Sequence, residues 1–276
     1  MTLHHVDEGQ GPTVVFVHGT PSSSFEFRHV IQRLAPTHRC LSMDHLGFGK
    51  SDKPVHGDYS LRAHQERFER FLDEHDVQDA VFVLHDFGAS IALPALWARP
   101  ERCRGIVLLN TFLWRATGPM AWLLSFYGSR LGRWIYRTFN VSVGALLPYA
   151  WGRRTPLTPE LHAAYQAPLA TSDDRRGTAA LPGELVGPTL GAMESRVAEV
   201  GRWPVRAVWG MADAMVGASE LARWRAALPH MPVDALDDVG HFVAEEAPGA
   251  VAEAVEALTG RSKHSTRSDT GAREAG

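Results

Sequence analysis

Asp86 ends an apolar run, Val81-Phe-Val-Leu-His-Asp86, and Phe87-Gly88-Ala89-Ser90 and a helical stretch follow at once. A carboxylate on such a strand-to-helix turn has two readings. As a helix N-cap it accepts backbone N–H bonds. As a nucleophile its chemistry is set by the bond it would form. Attack on an acyl carbon would give a mixed anhydride, whereas attack on a saturated carbon gives an alkyl ester that water can reopen at the Asp carbonyl, freeing an alcohol. Alkyl halides and epoxides fit that second course. Two further groups could serve it. Asp213 follows the run Val205-Arg-Ala-Val-Trp209, and His241 follows Val233-Asp-Ala-Leu236 in the loop Asp237-Asp-Val-Gly-His241-Phe. Singly, Asp213 reads as a turn residue and His241 as a packed core histidine. In this order, each beyond a strand-like run, they read as an acid that orients an imidazole and the imidazole that takes a proton from water.

Those groups need a scaffold that gathers strand ends. Strand-like runs at 13–17, 38–43, 80–85, 104–109, 205–209 and 233–236 alternate with helical segments, the pattern of an α/β protein whose mostly parallel sheet is covered on both faces. Ser60 can cap a helix from Leu61 to Leu72, with apolar residues at helical spacing. From Asn110 to about Leu185 the strand rhythm stops. Tryptophan, tyrosine and Arg-rich helical stretches take over, broken by Pro148, Pro156 and Pro159. The chain divides accordingly: core 1–110, an inserted helical cap 111–185, core 186–260, and a tail 261–276 that lacks apolar residues and is expected to be disordered. The underside of the cap should form an apolar pocket over Asp86.

Several stretches together resemble the haloalkane dehalogenases, the aspartate-nucleophile branch of the α/β-hydrolase fold related to epoxide hydrolases. They are His4-His-Val-Asp-Glu-Gly9, His18-Gly-Thr-Pro-Ser-Ser-Ser-Phe-Glu-Phe-Arg28, Met43-Asp-His-Leu-Gly-Phe-Gly-Lys-Ser-Asp-Lys-Pro54, Leu84-His-Asp-Phe-Gly88 and Val239-Gly-His-Phe-Val-Ala-Glu-Glu246. Leu157–Pro168, Arg175-Arg-Gly and Leu181-Pro-Gly-Glu-Leu185 add to them, and the likeness runs from about Leu3 to about Ala257. The resemblance implies a triad of Asp86, His241 and Asp213 in the chain order of that fold, with an oxyanion hole made by the backbone N–H groups of Thr20 and Phe87. Family members hold the departing halide with N–H donors at the two positions occupied here by Phe87 and Thr20, which offer no side-chain donor and one hydroxyl. A cap indole could substitute, from Trp114, Trp122, Trp134 or Trp151. The related epoxide hydrolases use two cap tyrosines as acids, and Tyr127, Tyr136, Tyr149 and Tyr165 are the candidates. All eight aromatics read equally as packing. A third reading, a non-catalytic small-molecule receptor, has no need for His241 and Asp213 in register. Relatives also carry an edge strand before the counterpart of His4–Gly9, so this chain either lacks that strand or starts upstream. An exposed edge there would invite association.

Composition bounds the rest. A chain of 276 residues, 45% apolar and 21% charged, suits one soluble α/β core plus an insertion. A net charge of −3 excludes a strongly basic nucleic-acid surface, and no apolar run reaches membrane-spanning length. The expected partners are a small apolar organic substrate and water, with no nucleic acid and no membrane. Cys40 and Cys103 read as buried thiols of a reducing compartment, and the start carries no charged-then-apolar leader, so the expected location is cytoplasmic. Gly47-Phe-Gly-Lys-Ser51 fails as a phosphate loop, because Asp44 stands where that loop needs glycine. The histidines show no paired metal-ligand spacing, so no metal or other cofactor is expected. His18 and His85, beside glycines of the site, read as packing groups.

Overall fold

The computed structural model describes residues 1–260. The expectation of a disordered tail at 261–276 lies outside the described residues. Seven strands form one sheet: β1 (His5–Glu8), β2 (Thr13–Val17), β3 (Arg39–Met43), β4 (Ala80–Asp86), β5 (Cys103–Thr111), β6 (Val205–Gly210) and β7 (Val233–Leu236). Their order is β1-β3-β2-β4-β5-β6-β7. β1 lies antiparallel on β3 with His5 opposite Met43, and every other neighbouring pair is parallel.

Side-chain alternation along the strands builds two cores. Val14, Phe16, Val81, Val83, Val107 and Leu109 point to the face covered by α1 (Arg28–Leu34) and by the C-terminal helix Pro248–Thr259. Val15, Val17, Phe82, Leu84, Ile106 and Leu108 point to the face covered by α2 (Leu61–Glu74) and α3 (Gly88–Ala98). β4 is buried along its whole length. That explains why it is an unbroken apolar run rather than an alternating one. Each such Val, Leu or Phe contributes about 1.5–3 kcal/mol by leaving water. The Ser60 hydroxyl caps α2 by accepting from the Ala63 N–H.

Between β5 and β6 the chain makes only helices and turns: α4 (Gly118–Gly128), α5 (Arg130–Thr138), α6 (Leu147–Ala150), α7 (Pro159–Gln166), α8 (Arg176–Ala180) and α9 (Pro188–Glu194). Val143, Leu147, Ala150, Tyr165 and Leu169 form a small core of their own on Phe242, whereas Leu190 and Met193 of α9 join the core of the sheet. After β6 come α10 (Ala218–Ala227), α11 (Val243–Glu246) and the C-terminal α12 (Pro248–Thr259). No helix among the described residues is long and apolar enough to cross a membrane.

Candidate active site

β4 delivers Asp86 at its C-terminal end, and there the backbone turns into the left-handed region, φ 51°. Non-glycine residues seldom adopt that conformation. It lifts the side chain out of the strand while α3 starts immediately behind it. The Thr111 hydroxyl donates to the Asp86 carbonyl at 2.5 Å and fixes the turn. Gly19 is required opposite, because a Cβ there would meet Asp86 Oδ1 at 2.1 Å. Into that space Thr20 donates its backbone N–H to Asp86 Oδ1 at 2.8 Å.

The loop carrying Thr20 is held by two histidines. His18 donates from Nδ1 to the Gly19 carbonyl (2.8 Å) and accepts the His45 N–H at Nε2 (3.0 Å), while His45 Nε2 donates to the His18 carbonyl (3.1 Å). Asp44 ties the same loop down by accepting the N–H groups of Ser24 and Lys50.

His241 lies fully buried between two carboxylates. Its Nδ1 donates to Asp213 Oδ2 at 2.7 Å, and its Nε2 stands 3.6 Å from Asp86 Oδ2, too far for a formed hydrogen bond. Nε2 and the Thr20 hydroxyl are both buried without a hydrogen-bond partner among the described residues. Burial pushes the His241 imidazolium down, but the charge and hydrogen bond of Asp213, joined by Asp86, outweigh it and lift the group to about 10. Asp213 is held below the usual carboxylate range against its own burial, by His241 and by the N–H groups of Met215 and Val216.

The histidine loop is clamped to the inserted helices. His241 N–H donates to the Ala150 carbonyl (2.8 Å), and the N–H groups of Arg153 and Arg154 donate to the Asp238 carbonyl. The Glu246 carboxylate accepts from Gly240 N–H (2.8 Å) on one side and from Gly152 N–H (3.0 Å) on the other. Gly240 has no room for a side chain, since a Cβ would meet Gly152 N at 2.3 Å.

Two supporting residues escaped the sequence reading of the site, Asn110 and Glu26. Asn110, at φ 28°, donates to Asp213 Oδ2 and to the carbonyls of Gly210 and Val216, and accepts the Gly210 N–H. Glu26 is buried with both oxygens 3.0 Å from His85 Nδ1. His85 Nε2 donates to the His241 carbonyl at 2.8 Å, so the packing role expected of His85 is a hydrogen-bonded one. The only signal in the sequence was an Asn closing a strand-like apolar run and a lone Glu between two phenylalanines.

The aromatics separate clearly. Trp122, Trp134 and Tyr149 are 82%, 50% and 65% exposed, which removes them from any pocket over Asp86. Trp151 stacks on Phe242 and spends its indole N–H on the Thr155 carbonyl. Tyr165 donates its hydroxyl to Glu245, and Trp114 packs edge-on against Trp224 in the core. Tyr136 is different: it is buried, its hydroxyl is pushed upward by burial and by the charge of Asp86, and its ring meets Tyr127 at 5.2 Å. Phe87 turns its ring into the core against Phe112. Both cysteines are free, and burial pushes their thiols up to about 12.

This sheet, with a carboxylate on the turn after its central strand and a histidine–acid pair beside it, is that of an α/β-hydrolase, and the model of the alpha/beta hydrolase fold matches residues 12–130. Haloalkane dehalogenase 2 of Mycobacterium tuberculosis is 31% identical over 92% of this chain and 90% of its own length. A cis-3-alkyl-4-alkyloxetan-2-one decarboxylase of Shewanella oneidensis is also 31% identical, over 90% of this chain and 82% of that protein. Among solved structures, a putative ancestral haloalkane dehalogenase superposes with a TM-score of 0.83 at 27% identity, covering 94% of this chain and 96% of that one. The chain belongs to the haloalkane dehalogenase-like α/β-hydrolases, and it is an enzyme of that family.

Proposed function

We propose that this enzyme cleaves the carbon–halogen bond of a small apolar haloalkane through an ester on Asp86, with the inserted helices acting as a cap. The observation that carries the reading is the placement of the Asp86 carboxylate between the Thr20 N–H and His241 Nε2. An Asp86 oxygen attacks the carbon in line, and the halide leaves with the bonding electrons. His241 then takes a proton from water, whose oxygen adds to the Asp86 carbonyl carbon. The oxyanion is held by the N–H groups of residues 20 and 87, at the positive end of α3. Collapse expels the alkoxide, which takes the proton from His241 and leaves as the alcohol, and Asp86 returns to its carboxylate as the second water proton passes to solvent. Asp213 holds the imidazole with Nε2 toward the water and offsets its charge.

Thr20 supports the leaving-group side, because its buried hydroxyl has no partner among the described residues. The test is halide release from bromo- and iodoalkanes. Asp86→Ala should abolish it. His241→Phe should let the ester accumulate as substrate mass on the peptide bearing Asp86. Release that survives Asp86→Ala would sink the assignment.

A second reading has a specific observation behind it. Tyr136 is a buried O–H donor within the field of Asp86, and Phe87 offers a leaving halide nothing. A ring oxygen that stays attached needs such a proton donor, as in an epoxide. Silence on haloalkanes with turnover of epoxides, lost in Tyr136→Phe, would favour this reading.

A further inference from the structure

The hairpin of α4 and α5 shows water a face that a helix of its composition ordinarily hides. α4 contains no charged residue, and none of its residues is buried. Met120, Trp122, Leu123 and Phe126 are all exposed. A helix that is apolar all round belongs in a protein interior or against another apolar phase. α5, which packs beside it, adds Leu131 and Trp134, and Phe139 follows at its end. Clustered large apolar side chains of this kind mark an interaction surface.

Within the segment that carries the face, the charges have one sign. Between Glu101 and Glu160 the chain has no Asp or Glu, while Arg115, Arg130, Arg133, Arg137, Arg153 and Arg154 fall in the same interval, in a protein whose net charge is −3. Acids from elsewhere answer several of them: Glu194 lies 3.9 Å from Arg115, Asp173 lies 3.6 Å from Arg137, and Asp238 pairs with Arg154. Glu184 acts on Arg133. Arg130, beside exposed Leu131, meets no carboxylate within ion-pair distance among the described residues.

We propose that the α4–α5 hairpin docks on a membrane surface. It seats Trp122, Leu123, Phe126 and Trp134 at the boundary of headgroups and acyl chains, with Arg130 and Arg133 on anionic headgroups. Indole rings and arginine stems suit that boundary, since each has an apolar body and a polar tip. Apolar burial and attraction to anionic lipid add to one another there. A second copy of the chain is the poorer occupant. A two-fold contact sets the same face against itself, so arginines would oppose arginines with no acid in the segment to answer them. The expectation of no membrane partner rested on the lack of a spanning run, which says nothing about a helix lying on the surface.

The test is co-sedimentation of the full chain with vesicles of phosphatidylcholine alone or mixed with phosphatidylglycerol. Binding to the mixed vesicles, weakened by salt and accompanied by a blue shift of tryptophan emission, is expected. Arg130→Glu with Arg133→Glu should lower partitioning at least about tenfold, from about 1 kcal/mol per cationic side chain at such a surface. Trp122→Ser with Leu123→Ser should abolish it. Both pairs change exposed side chains, so thermal midpoints should stay put, and Trp122→Ser alone serves if a midpoint falls. No binding to either composition, equal binding to both, or a concentration-dependent dimer lost in Trp122→Ser without vesicle binding would each overturn the proposal.

Discussion

His241 carries its proton up to about 10 in the resting site because two carboxylates outweigh its burial. The folded value lies above the ordinary 6.5, so the stabilisation is complete below about 6.5 and is lost as pH rises through about 10. The proposed mechanism inverts the arrangement. An ester on Asp86 would carry no charge there, so the hold on the proton would weaken at the step in which His241 is to act as a base. Ester hydrolysis should therefore accelerate with pH along a limb centred below about 10, and ester should build up in the wild-type enzyme at low pH. Rapid-quench mass analysis across pH would show it, and a pH-independent hydrolysis step would refute it. Glu26 behaves differently. Glu26→Ala strands the buried Nδ1 of His85, at a cost of about 1–3 kcal/mol in thermal unfolding, and Glu26→Gln should lose less because it keeps a partner. Equal losses would mean that a neutral acceptor cannot stand in for the carboxylate, so that its charge and not the hydrogen bond is what His85 requires. At this scale the three residues of the proposed triad were readable, since each follows a recognisable strand. Asn110 and Glu26 were not, because a single polar residue in an apolar stretch has no periodicity to mark what it faces.

The strands were the most legible elements. β2 and β7 have the predicted bounds, and β4 and β6 run one residue further. Buried parallel strands require continuous apolar runs that little else imitates. The inserted helices were legible as a region but not as a surface. Alternating aromatics and arginines do not say that Tyr136 turns inward while Trp134 turns out, because that depends on how short helices pack on one another. The link between insert and core was invisible for the same reason, as it runs through backbone groups. Glu246 accepts one N–H from each side, so Glu246→Ala leaves two donors without it and should cost about 1–3 kcal/mol. A positioning role also predicts a fall in kcat larger than any rise in KM, with partial recovery in Glu246→Gln. A stability loss with unchanged kinetics would reduce Glu246 to a structural tie.

Across the molecule, acid is the expected weakness. His45 and His64 are buried edge to face behind the Thr20 loop, and both nitrogens of His64, with Nδ1 of His45 and Nη1 of Arg67, find no hydrogen-bond partner among the described residues. Burial, aided by the Arg67 charge, lowers His64 to about 3. Its unfolded form takes a proton near 6.5, so stability is present above that pH and drains away as pH falls toward about 3. His64→Leu should raise the thermal midpoint at pH 5 more than at pH 7, and an equal or opposite shift would remove His64 from the account. The open edge of the sheet is less exposed to association than its sequence warned, since β1 presents Asp7 and Glu8, with Asp7 paired to Arg39. The clamp of Ala150–Arg154 on the loop 238–241 reaches beyond any single variant. Exchanging the insert with that of a relative at its sequence boundaries would replace the Ala150 carbonyl that accepts the His241 N–H and the Gly152 N–H that meets Glu246. A functional chimera must therefore be cut inside the insert, with 150–154 left on the side of the recipient.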